Sequence, residues 1–163
     1  MKKFLRILIL STFMIYCLVV LDLVLLSRIH MFHLDVWRDM WLELWERRTR
    51  LNYGLNLVPF RTIGTYIKSI LRGDIVAIAV RNLAGNLLMF LPLGIYLPVI
   101  WKKCRNIKTI LLISMTVLVG IELIQFLSLL GSLDIDDFIL NICGILIGYG
   151  LWKNMKMIRY FNF

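Results

Sequence analysis

Apolar residues gather in four long runs along the chain, and the segments between the runs carry most of the charges. The runs extend from Phe4 to Leu26, from Ile75 to Ile100, from Ile107 to Leu130 and from Ile135 to Trp152. An α-helix needs about 20 mostly apolar residues to cross a hydrocarbon core. Lipid offers the backbone no hydrogen-bond partners, and the runs lack the alternation of barrel strands. The pattern therefore predicts an all-α integral membrane protein, with four transmembrane helices in a bundle and one domain over residues 1–163.

Composition supports this fold class and limits the classes of binding partner that are expected. Hydrophobic residues make up 60% of the chain and charged residues only 18%, which is not typical of a soluble domain of this size. The net charge of +9 comes from bases that mainly flank the apolar runs, so membrane lipids are predicted as partners and nucleic acid is not. The three cysteines are far apart and match neither a disulfide framework nor a metal-ligand spacing. No cofactor is predicted, and the oligomeric state is left open.

The distribution of bases predicts an orientation in a bacterial cytoplasmic membrane. Basic residues precede the first run, crowd the second connector and follow the last run, while the third connector, Gly131 to Asp134, has none. The positive-inside rule then places both termini in the cytoplasm and the first connector, Ser27 to Asp74, outside. That connector itself holds more bases than acids, but long segments follow the rule less strictly.

A tryptophan stripe marks part of the first connector. Trp37, Trp41 and Trp45 recur at every fourth residue and would share one face of a helix. An amphipathic helix lying in the membrane interface explains this stripe, and so does a short helix packed on the end of the bundle.

Polar residues inside the apolar runs are the candidate functional residues. In the predicted orientation all of them fall in the outer half of the membrane: Arg81, Asn82, Asn86, Glu122, Gln125, Asp134, Asp136, Asp137 and Asn141. Spacings of three and four place them on one face of each helix, which predicts a polar and acidic pocket open to the outside. Gly144 and Gly148 continue the stripe of the last helix as a predicted close-packing pair. In the competing interpretation these groups only join helices, with Arg81 neutralising a carboxylate.

These residues also form a pattern that resembles the VanZ-like family of small bacterial membrane proteins. The matching elements are Asn56-Leu-Val-Pro59-Phe60, Asn82-Leu-Ala-Gly85-Asn86 with Phe90, Pro92 and Gly94, Glu122-Leu-Ile-Gln125, Asp134-Ile-Asp136-Asp137, and Asn141-Ile-Cys-Gly144 with Gly148. The resemblance implies a four-span protein whose characteristic polar residues line one site, and it adds Asn56 to that site. Arg61, which follows the first element, either covers the pocket, meets an anionic headgroup or is a surface cation.

The family name implies a role in resistance to glycopeptide antibiotics of the teicoplanin type. The favoured hypothesis is a cell-envelope protein whose pocket interacts with lipid, a lipid-linked cell-wall precursor or the lipid-tailed antibiotic, without making bonds. The alternative is an intramembrane enzyme in which Glu122, Asp136 and Asp137 act as acid, base or ligands of a divalent ion. We favour binding over catalysis because no convincing nucleophile or metal motif accompanies these carboxylates. A third hypothesis is a structural protein whose glycine face recruits another membrane component.

Overall fold

The computed structural model describes residues 2–26, 42–46, 55–127 and 132–154. The long elements in these ranges are α1 (Lys2–Leu21), α2 (Arg61–Arg72), α3 (Val76–Ile100), α4 (Ile107–Leu127) and α5 (Ile135–Asn154). A π-helical turn, Asp22–Leu26, extends α1, and a 3-10 turn, Lys102–Arg105, joins α3 to α4. Two strands of two residues each, β1 (Leu55–Asn56) and β2 (Leu133–Asp134), precede α2 and α5.

Four helices within the described residues are long and apolar enough to cross a membrane. They cover Lys3–Val24, Val76–Ile100, Ile107–Leu127 and Ile135–Asn154. Many of their leucine, isoleucine and valine side chains are exposed, which water would penalise and lipid does not. The prediction of four apolar membrane helices is confirmed, and the chain is a membrane protein.

The closest packing in the fold joins α3 to α5 through glycines. Gly144 lies against the backbone of Leu87, and Gly148 lies against that of Leu91. Gly94 of α3 makes the reciprocal approach to the Ile145 carbonyl. Because a β-carbon at any of these glycines would overlap a carbonyl oxygen of the facing helix, only glycine permits this separation.

The buried core extends from this helix pair toward α4 and the turn before it. Its fully or nearly fully buried members are Phe90, Leu97, Cys104, Ile110, Leu118 and Ile145. Burial raises the pKa of the Cys104 thiol, so this side chain stays protonated at neutral pH. The helix α3 continues through Pro92 and Pro98 to Ile100. The Tyr149 hydroxyl donates to the Arg105 carbonyl at 2.7 Å and ties α5 to the turn.

The first membrane helix attaches to α3 through aromatic residues. The Tyr16 hydroxyl donates to the Met89 carbonyl at 2.9 Å. The Tyr96 ring lies 5.4 Å from the Phe13 ring and 5.8 Å from the Tyr16 ring, measured between centroids. Most other side chains of α1 are exposed, so this helix presents most of its surface to lipid.

The first connector contains a helix that the sequence analysis did not predict. Ile63, Tyr66 and Ile70 of α2 are half-buried, whereas Arg61 and Arg72 are exposed. This helix packs against α3. Of the predicted tryptophan stripe, Trp37 and Trp41 lie outside the described residues. Residues 42–46 are helical, and their Trp45 meets Phe126 edge to face at 6.1 Å between ring centroids.

Candidate functional site

A two-stranded parallel sheet joins the first connector to the start of α5. Leu55 pairs with Leu133, and Asn56 pairs with Asp134. The Asn56 amide donates to Asp134 Oδ1 at 2.9 Å, and the Thr62 hydroxyl donates to Asp134 Oδ2 at 2.7 Å. Asp134 Oδ1 also accepts from the backbone N–H of Asp136 at 2.9 Å. Asp134 is therefore the N-cap of α5 and at the same time holds the beginning of α2.

Asp136 is fully buried and also joins the first connector to the start of α5. Its Oδ1 accepts from the Phe60 N–H at 2.5 Å, and its Oδ2 accepts from the N–H groups of Thr62 and Ile63 at 2.7 and 3.0 Å. These donors lie at the N-terminus of α2, where helix geometry leaves N–H groups unpaired and carries partial positive charge. Together Asn56, Thr62, Asp134 and Asp136 form what we call the connector clasp.

Two further hydrogen bonds join α3 to its neighbours beside the clasp. The Asn82 amide donates to the Tyr66 hydroxyl of α2 at 2.6 Å. One turn later, the Asn86 amide donates to the Asp137 carboxylate of α5. The two asparagines of one helical stripe thus contact different helices, α2 and α5.

A polar cavity of about 350 Å³ opens beside the clasp, and we call it the Arg61 pocket. Its lining residues are Leu55, Asn56, Arg61, Thr62, Thr65, Tyr66 and Ser132. Exposed Arg61 supplies a positive charge, and threonine, tyrosine and serine supply hydroxyl groups. This set suits a ligand group that is anionic or rich in hydroxyls.

The polar residues of α4 lie apart from that pocket. Gln125 is buried, and its amide donates to the Val24 carbonyl at 3.0 Å, which ties α4 to the π-helical turn after α1. Glu122 is 9% exposed and lines a separate cavity of about 190 Å³ together with Asp134 and Phe138. Asn141 of α5 is also buried, and its Oδ1 has no hydrogen-bond partner among the described residues.

The geometry of the carboxylates favours structural roles for two of them. Both oxygens of Asp134 and both oxygens of Asp136 already accept hydrogen bonds from the connector or from their own helix start. Across the described residues, no group of three or more histidine, cysteine, aspartate or glutamate side chains is placed to hold a metal ion.

Comparison with known proteins identifies the family of this chain. A sequence profile described as VanZ/LLP1 matches residues 13–158. The chain belongs to the VanZ/LLP1 family. It is also 28% identical over 123 residues to Protein VanZ of Enterococcus faecium. The alignment covers 69% of this chain and 65% of that relative, so the chain spans about two thirds of the relative's length. No solved structure matches the chain.

The structure of this VanZ/LLP1 chain divides the predicted site residues among several places. Asn56, Asp134 and Asp136 meet in the clasp, and Arg61 lies at its pocket. Asn86 and Asp137 meet between α3 and α5. The remaining predicted residues are elsewhere: Asn82 contacts α2, Gln125 contacts the turn after α1, Glu122 lines the cavity beside Phe138, Asn141 is buried in α5, and Arg81 lines a groove beside α1.

Two residues of this VanZ/LLP1 chain that the sequence analysis did not single out join the site. Thr62 bonds to Asp134 through its hydroxyl and to Asp136 through its N–H, and Tyr66 lines the Arg61 pocket. A signal for both was available in the segment Arg61–Arg72. Its isoleucines and tyrosine recur at spacings of three and four, which is typical of an amphipathic helix.

Proposed function

We propose that this VanZ/LLP1 chain lowers the susceptibility of a bacterial cell to glycopeptide antibiotics with lipid tails, of the teicoplanin type. The Arg61 pocket binds the polar part of such a molecule or of a lipid-linked envelope precursor. It does so without catalysing a reaction. Family membership and the similarity to Protein VanZ support this role at the level of the whole protein.

One observation supports a ligand with both a polar and an apolar part: the polar pocket adjoins an exposed apolar turn. Leu57, Val58 and Phe60, between β1 and α2, are 60%, 57% and 64% exposed. Apolar side chains this exposed beside a membrane helix bundle are suited to the interface between lipid and water. A ligand with a polar head and a hydrocarbon tail would contact Arg61 with the head and this turn with the tail.

The pocket can meet such a ligand only if it faces outward, and we propose that both termini are cytoplasmic. The bases of the turn Lys102–Arg105 support this orientation under the positive-inside rule. The segment before α5, which carries no base, then lies outside together with the clasp.

Thiol labelling of intact cells tests the orientation. We expect a cysteine introduced by Ser132→Cys to react with a membrane-impermeant maleimide from outside. The matched variant Lys103→Cys, also exposed, should react only after lysis. The native cysteines should add little background, because Cys104 is buried and Cys17 and Cys143 lie within the membrane helices α1 and α5. The opposite pattern, with Lys103→Cys labelled in intact cells, would reverse the topology.

Antibiotic susceptibility tests the function of the Arg61 pocket. We expect the wild-type chain to raise the inhibitory concentration of teicoplanin more than that of vancomycin. Arg61→Gln should remove most of this protection, because losing a hydrogen bond from a charged group weakens binding by about tenfold. The measurement is a dilution series at matched membrane levels of each variant.

The control for this test lies in the same helix. Arg72→Gln makes the same chemical change at an exposed position outside the pocket lining and should leave protection unchanged. Equal protection by wild type and Arg61→Gln would exclude the pocket as the ligand site. Absence of protection by the wild type would exclude the proposed function itself.

A further inference from the structure

A groove of about 550 Å³ runs between α1 and α3, away from the clasp. Its lining residues are Tyr16, Val19 and Val20 from α1, Leu23 from the π-helical turn after it, and Arg81, Asn82, Gly85, Asn86, Leu88, Met89 and Pro92 from α3. From Arg81 to Pro92 the helix rises by about 16 Å, which is close to half of a ~30 Å hydrocarbon core. The groove therefore has the length of one lipid leaflet.

Arg81 supplies the charge at one end of this groove. It lies about 8 Å along α3 from Val76, and helical side chains point toward the N-terminus of their helix. A long arginine side chain can therefore place its guanidinium at the level of lipid headgroups. Exposed Arg81 makes no ion pair with any residue that the structure describes, and none of the lining residues is acidic. Within the described part of the chain, its charge is therefore left for an anion.

The rest of the groove is lined mainly by apolar side chains, and its polar side chains already make hydrogen bonds within the protein. The Asn82 and Asn86 amides donate to Tyr66 and Asp137 on neighbouring helices. At the deep end, the Tyr16 hydroxyl donates to the Met89 carbonyl and is thereby satisfied. Apart from Arg81, the surface that remains for a ligand consists mainly of hydrocarbon from α1 and α3.

We propose that this groove binds one anionic phospholipid, with an acyl chain between α1 and α3 and the phosphate against Arg81. A cation at headgroup depth above an apolar channel of leaflet length is complementary to this class of lipid. The proposal needs neither an antibiotic nor the Arg61 pocket, so it does not depend on the proposed function.

Gly85 explains how the groove stays open and provides its test. A β-carbon at Gly85 would meet nothing within 4 Å, so glycine is not required there for helix packing. Gly85→Leu should instead fill the groove from α3. Gly120→Leu is the matched control, because Gly120 on α4 also has open space and does not line the groove.

The experiment counts lipids bound to purified protein in detergent by native mass spectrometry, with phosphatidylglycerol or phosphatidylcholine added. We expect the wild type and Gly120→Leu to hold one phosphatidylglycerol, and Gly85→Leu to lose about tenfold in affinity for it. Arg81→Gln should reduce the preference for phosphatidylglycerol over phosphatidylcholine by about fivefold, because one cation near a membrane surface contributes about that factor.

A second groove variant distinguishes loss of lipid binding from a folding defect in Gly85→Leu. Val19→Trp narrows the same groove from α1, where Val19 is 51% exposed, and should also release the lipid. Wild-type phosphatidylglycerol occupancy in both Gly85→Leu and Val19→Trp would overturn the proposed site. An unchanged lipid preference in Arg81→Gln would overturn the proposed contact between the lipid phosphate and Arg81.

Discussion

Asp136→Asn should lower the free energy of unfolding by about 3 kcal/mol. The carboxylate is fully buried and accepts three backbone N–H bonds from the start of α2. An asparagine keeps one oxygen, but its amide N–H₂ would face donors of the connector. At least one buried N–H then loses its acceptor, and the charge that complements the helix N-terminus is lost as well.

Unfolding by denaturing detergent, followed by circular dichroism, would measure this loss. Asp74→Asn removes the same charge at an exposed position in the turn after α2 and should change the stability little. Equal stability of wild type and Asp136→Asn would show that the connector does not depend on this carboxylate. In cells, the expected outcome of Asp136→Asn is a lower amount of protein in the membrane.

Gly148→Ala should destabilise the protein by a similar amount, about 3 kcal/mol. The new methyl group would overlap the Leu91 carbonyl oxygen, and the Leu91 carbonyl carbon and the Gly94 Cα lie close behind it. Backbone atoms of a continuous helix cannot rotate away as a side chain could. The separation of α3 and α5 would therefore have to increase along the whole contact.

Gly150→Ala in the same helix is the matched control, since a β-carbon there meets nothing within 4 Å. It should be neutral or slightly stabilising, because alanine favours helix over glycine. Thermal unfolding of both variants in the same detergent would compare them. A Gly148→Ala protein as stable as Gly150→Ala would contradict the close packing of α3 and α5.

Asp136→Asn and Gly148→Ala are unsuitable as tests of ligand binding in this protein. Both alter the fold, so a loss of resistance in either one would not identify a ligand contact. The enzyme hypothesis names Glu122, Asp136 and Asp137, and of these three Asp136 belongs to the clasp, so that a change there also disturbs the fold. The proposed ligand site is better tested at Arg61, because this residue is exposed and its side chain makes none of the clasp hydrogen bonds.

The polar stripes show where reasoning from spacing succeeds and where it stops. Asn82 and Asn86 share one face of α3, as their spacing predicts. One of them bonds to α2 and the other to α5, and no spacing within α3 contains that information. Likewise Asp134 and Asp136 occur at the start of α5 as expected, but their partners are 72 to 78 residues earlier in the chain.

The helix α2 illustrates a different limit. Its amphipathic pattern is visible in the segment Arg61–Arg72, but the tryptophan stripe earlier in the same connector is more conspicuous, and it predicts a helix either in the membrane interface or on the end of the bundle. Placing α2 requires knowing that Asp136 caps its first turn. That contact lies next to the pairing of β1 with β2, which joins segments distant in the sequence.

By itself, the sequence determined that this is a membrane protein with four apolar helices. A long apolar run in lipid must satisfy its backbone hydrogen bonds within the segment, and the α-helix does so. Its motifs also identified the family. Tertiary structure alone decided which polar groups pair and which remain at a cavity. Those pairings depend on distances of about 3 Å between distant segments, which only the packing of α2, α3 and α5 establishes.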